Sequence, residues 1–167
     1  EAAFTVPDTT QNADNPRNPQ PDAAAAPPMF NAPLLVVALV GLLLLIHGAI
    51  AAMGEDVEIW SIYAFSFIPQ RLLQDALATP VGAQVWSFLT YALLHGSWMH
   101  LISNSLWLLV FATPVVRFLG NGKSLVLLAV SAIAGAAAML VLYWGQFILM
   151  VGASAAVSGA MGAAMPI

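Results

Sequence analysis

Ser154, His100 and Asn104 are the side chains of this chain best suited to chemistry. His100 and Asn104 stand four positions apart, about 40° from each other around a helix of ~3.6 residues per turn, so one face would present an imidazole beside a carboxamide. His95 would lie about 140° from His100 on the same helix, turned away from that face. Ser154 falls in the small-residue run Gly-Ala-Ser-Ala-Ala-Val-Ser-Gly-Ala-Met-Gly over positions 152 to 162. A serine hydroxyl is a useful nucleophile only with a base to take its proton, and the oxyanion it generates needs donors aimed at it. A helix starting near Ser154 would add unpaired backbone N–H groups and a positive dipole end. Blander readings stand beside these. His100 and Asn104 could serve as interhelical hydrogen bonds, and Ser154, Ser158 and Gly162 form an i, i+4, i+8 stripe for which close helix packing is the favoured reading when the run is taken alone. His47, with no carboxylate or hydroxyl at helical spacing, reads as a packing histidine. Arg71 and Asp75, four apart, read as a solvated pair worth only a few tenths of a kcal/mol.

The elements that must position these groups belong to a membrane protein. Of 167 residues, 60% are hydrophobic and 7% charged, far more apolar than a soluble domain, so the chain's solvent is lipid. A formal charge of −4 without a basic stripe argues against nucleic acid as a partner. The absence of cysteine excludes disulfides, thiolate nucleophiles and iron–sulfur clusters, and three dispersed histidines do not resemble a zinc site, so neither a metal nor a cofactor is expected. Positions 1 to 32, polar and rich in proline, read as a disordered tail. Positions 34 to 53 carry no formal charge and are long enough to cross a ~30 Å hydrocarbon core, closed by Glu55, Asp56 and Glu58. Positions 54 to 97, broken by Pro69, Arg71, Asp75, Pro80 and Gly82, read as a long loop lying on the membrane, with Trp60, Tyr63, Trp86 and Tyr91 suited to the interface. Further spans are expected over 98 to 116 and 124 to 144, joined by a basic turn at 117 to 123. A fourth apolar run begins near Gly152 and continues to Ile167, too short to span by itself, which reads as a truncation.

The order His95, four residues, His100, three residues, Asn104, then a basic, glycine-containing turn and Gly-x-Ser at the head of a later helix resembles the rhomboid intramembrane serine proteases over residues 86 to 163. The resemblance implies an all-α, polytopic helical bundle over 33 to 167, with four helices present of an expected six. It implies Ser154 as nucleophile, with its backbone N–H, His100 and Asn104 forming an oxyanion hole, and a structural role for His95. The general base would be a histidine beyond Ile167, so the chain by itself would be inactive. Substrates would be transmembrane proteins, and the setting a bacterial inner membrane. The alternative is a rhomboid-like protein that binds membrane proteins without cutting them. Three positions depart from the family's pattern. Ala155 replaces the glycine that usually follows the nucleophile, which costs ~1 kcal/mol or more if that position needs φ > 0 and almost nothing if it is helical. Ser158 stands where members often carry an aromatic residue, and Ser87 replaces the arginine of the family's loop motif.

Arg117 and Lys123, half of all the basic residues, set the orientation by the positive-inside rule: the 117 to 123 turn is cytoplasmic and Ser97 faces outward. With single cysteines and an impermeant thiol reagent on intact cells, position 97 should be labelled from outside and position 121 protected.

Overall fold

The computed structural model describes residues 31 to 73 and 80 to 165. The expected tail lies almost wholly outside the described residues, as does Asp75. Among the described residues, three helices are long and apolar enough to cross a membrane: α1 (Leu34–Met53), α4 (Trp98–Leu119) and α5 (Asn121–Leu142). The first coincides with its expected bounds. In α1 only Val36 and Leu43 are buried, and Leu34, Leu45 and Met53 are exposed, the pattern of a helix whose solvent is hydrocarbon. Helix α4 is capped by Ser97, whose hydroxyl accepts the His100 N–H at 3.2 Å.

The connection between α4 and α5 is shorter than the expected seven-residue turn. Gly120 alone, at φ +79°, separates the two helices. Arg117 sits in the last turn of α4, where the negative dipole end favours a cation, and Lys123 falls within the start of α5. The Ser124 hydroxyl, buried with its residue, donates to the Gly120 carbonyl at 2.8 Å and helps close the corner.

The segment from 54 to 97 contains helix α2 (Glu55–Phe65), a 3-10 turn (Pro69–Leu72), helix α3 (Ala83–Thr90) and a second 3-10 turn (Tyr91–Leu93). At 11 and 8 residues neither helix can span a bilayer. Glu55, Asp56 and Glu58 occupy the first turn of α2, matching its positive dipole end. Exposed Ile59, Trp60, Val85 and Leu89 give both helices an outward apolar surface suited to the interface.

Helix α6 (Ser154–Ala164) packs against α4 and α5. Its buried face is Ala156, Val157 and Ala160, whereas Ser154 and Ser158 are exposed and a Cβ on Gly162 would meet open space. The stripe expected to serve packing therefore faces outward, and the close contact runs one position further round, through Ala155 and Gly159. A Cβ on Gly135 of α5 would stand 2.5 Å from the Ala155 Cβ, and one on Gly159 would collide with the Ser131 side chain. Each helix thus lends a glycine to the other's side chain.

On helix propensity alone, Gly159→Ala would stabilise α6 by about 1 kcal/mol. The collision with Ser131 reverses the sign: we expect Gly159→Ala to destabilise by about 1–3 kcal/mol and Ser131→Gly to restore much of the loss, read from unfolding midpoints in detergent.

Candidate active site

The segment that leads into α6 is held on one side by backbone bonds to the interfacial segment. Phe67 and Met150 exchange N–H···O bonds of 3.1 and 2.9 Å, Gln70 N–H donates to Gln146 O at 3.1 Å, and Gly152 N–H donates to Tyr91 O at 2.9 Å. Tyr91 is itself fully buried, its hydroxyl donating to Ala132 O at 2.8 Å, and burial pushes its pKa up to about 12, so it remains a neutral donor. Gly152 then adopts φ +113°, Ala153 serves as N-cap, and Ser154 is the first helical residue. The first bond into this helix runs from Val157 N–H to Ala153 O at 2.9 Å, so the N–H groups of Ser154, Ala155 and Ala156 have no intrahelical acceptor.

His100 and Asn104 reach the same segment from α4. A Cβ on Gly152 would lie 2.5 and 2.6 Å from His100 Cε1 and Nε2 and 3.4 Å from Asn104 Nδ2. Both side chains therefore press on the backbone two residues before Ser154, and only glycine combines that approach with the left-handed φ. Asn104 is 6% exposed and its Nδ2 has no hydrogen-bond partner. Ser154, Asn104, Trp107, Phe111 and Ser158 are among the residues lining a cavity of about 260 Å³. Trp107 and Phe111 form one wall, stacked at 5.5 Å with rings 10° apart. A serine at an open helix N-terminus, beside an unpaired buried amide donor, is an arrangement able to stabilise a negatively charged oxygen.

The departures at 155 and 158 resolve differently. Ala155 is helical, and no non-glycine residue among those described has a positive φ, so the methyl costs no backbone strain. Ser158 donates its hydroxyl to the Ser154 carbonyl at 2.8 Å and is held on its own helix.

His95 stands where the helical projection does not put it. It precedes α4, so the 100° step does not apply, and its ring meets that of His100 at 5.2 Å and 70°. His47 packs edge-on against Trp98 at 4.6 Å, as its packing reading requires. His47, His95, Glu58 and Trp98 also line a second cavity of about 390 Å³, separate from the one beside Ser154.

Arg71 is not solvated, and Asp75, its expected partner, lies outside the described residues. Arg71 is 2% exposed, and its guanidinium donates to the carbonyls of Ser66 at 3.0 Å and of Tyr63. A lone basic residue between positions 18 and 116 of an apolar chain was the available signal, since an unpartnered cation there is costly. Ser87, at the position of the motif's arginine, is buried. Trp86 beside it ties the segment to the end of α2, its indole N–H donating to Ala64 O at 2.8 Å.

The long apolar helices and the interfacial segment define an integral membrane protein built as a helical bundle. The family model described as Rhomboid domain matches residues 82 to 166, and the chain belongs to the rhomboid family. Among curated proteins it is similar to the rhomboid protease GlpG of Pectobacterium atrosepticum, 42% identical over 50 residues, which cover 30% of this chain and 18% of that protein. It is also similar to the rhomboid protease GlpG of an Enterobacter species, 39% identical over 62 residues, 35% of this chain and 22% of the relative. The matched segment thus spans about a fifth of each relative's length.

Burial lowers the pKa of His95 from 6.5 to about 4, with the neighbouring imidazoles of His100 and His47 acting in the same direction and the Leu93 backbone opposing weakly. Between these values the unfolded chain binds more protons than the folded one, so this contribution to stability is complete above pH ~6.5 and is lost as pH falls toward ~4. Unfolding midpoints across that window should fall more steeply for the parent protein than for His95→Gln.

Proposed function

We propose that the intact protein is an intramembrane serine endopeptidase that cleaves transmembrane proteins, with Ser154 as nucleophile and the Ser154 backbone N–H, His100 and Asn104 as the oxyanion hole. The observation that carries this reading is that Asn104, whose buried Nδ2 is unpaired, lines the same cavity as Ser154. A buried donor without a partner costs about 1–3 kcal/mol, a cost that an oxyanion would repay at the transition state. Attack by Ser154 Oγ on a peptide carbonyl places negative charge on the carbonyl oxygen, and collapse of the tetrahedral intermediate expels the amine and leaves an acyl-serine for water to hydrolyse.

The chain's three histidines are otherwise engaged: His47 packs on Trp98, His95 on His100, and His100 lies against Gly152. On this reading the proton of Ser154 passes to a histidine beyond Ile167. The substrate helix must open locally to expose its scissile bond, which favours substrates with helix-breaking residues near the cut.

Ser154→Ala should abolish cleavage of a reporter transmembrane helix and fluorophosphonate labelling by the intact protein, with the fold retained because Ser154 is exposed on α6. Asn104→Ala should lower turnover by about 10²–10³ while KM changes little, as loss of a donor used only in the transition state requires. Cleavage by Ser154→Ala at the parent rate would end the serine-protease reading.

A further inference from the structure

The last carbonyls of α2 lie at the turn that carries Phe67, and a helix end leaves four such groups without intrahelical partners. Here each finds a donor. Ile62 O accepts the Ser66 N–H at 3.0 Å, Ala64 O the Trp86 indole at 2.8 Å, and Phe65 O the Thr90 hydroxyl at 2.9 Å. Tyr63 O and Ser66 O both accept from Arg71, through Nη2 and Nη1. Arg71 is thus the one charged donor of the set and the one that serves two carbonyls. Its planar fork can hold two acceptors in fixed relation, and its charge suits the negative end of the α2 dipole.

We propose that Arg71 is a positioning residue for Ser154, acting through the backbone register between the interfacial segment and the lead-in to α6. The loop from 66 to 71 that Arg71 closes contains two of the donors of that register: Phe67 N–H, paired with Met150, and Gln70 N–H, bonded to Gln146. Two residues beyond Met150 comes Gly152, against which His100 and Asn104 rest, and two beyond that comes Ser154. Releasing the guanidinium frees the Ser66 carbonyl next to Phe67, so the 67 to 150 pairing loosens before any helix core does. In this chain, whose position 87 is serine, the anchoring of the interfacial segment is carried from inside that segment by Arg71.

The inference concerns register and rests on the proposed function only for its catalytic consequence, so the test has two readouts. In the intact protein in detergent, amide hydrogen exchange is followed for the parent, Arg71→Met and Arg71→Lys, together with the rate of fluorophosphonate labelling. Arg71→Met should speed exchange at Phe67, Gln70, Met150 and Gly152 by about tenfold or more, leave the interiors of α4 and α5 within about twofold, and slow labelling about tenfold. Arg71→Lys should recover part of both effects, because an ammonium keeps the charge but not the fork. Unchanged exchange at Phe67 and Met150, or an equal rise throughout α4 and α5, would overturn the inference. Faster exchange at 67 and 150 with labelling at the parent rate would overturn the link to Ser154. A parent protein that is never labelled would instead count against the protease reading, and the exchange pattern would still decide the role of Arg71 in register.

Discussion

A peptide group left unpaired in hydrocarbon costs several kcal/mol, and this constraint governs the parts of the chain that are not long helices. The segment between α1 and α4 is too short in each helical piece to bury its own ends, so its carbonyls must be met from elsewhere. Arg71, Trp86 and Thr90 meet those at the end of α2, and the lead-in to α6 contributes Met150 N–H and Gly152 N–H to the carbonyls of Phe67 and Tyr91. These bonds tie a segment at the membrane interface to the one that carries Ser154. Irregular backbone at the head of α6 is therefore supported by the same interactions that settle the interfacial segment.

The second determinant is how closely backbones approach. Within a membrane the apolar side chains gain little by leaving lipid for one another, so packing depends on shape. Glycine and alanine at 135, 155 and 159 let α6 lie against α5, and Gly152 lets the His100 and Asn104 side chains reach the chain itself. The first contact fixes the helix and the second fixes what surrounds its first residue. Ser154 and Ser158 are left on the outward face, Ser154 beside the open cavity and Ser158 bonded back to the Ser154 carbonyl.

Much of the architecture was legible in residue types and spacing. Twenty uncharged apolar residues between Ala32-Pro33 and Gly54 can do little but cross a bilayer, and α1 has the expected bounds. The His100 and Asn104 spacing placed both on one face of α4, and Gly152 reports contact with both. Periodicity misled where it was applied outside a helix, at His95, and at the stripe of 154, 158 and 162, because the close contact runs through 155 and 159. The expected solvation of Arg71 failed, because nothing local distinguishes a solvated arginine from one that turns inward to carbonyls.

What the sequence determined by itself is what depends on length and solvent: which stretches cross lipid, where they stop, and which polar residues are too costly to face it. Those follow from hydropathy and from ~1.5 Å of rise per residue, quantities summed along the chain. Only the tertiary structure decided that Asn104 shares a cavity with Ser154, that Ala155 nests on Gly135, and that Arg71 closes the end of α2. Each of those joins residues that no helical period connects, and it exists because backbones meet at a distance and register that local rules leave open.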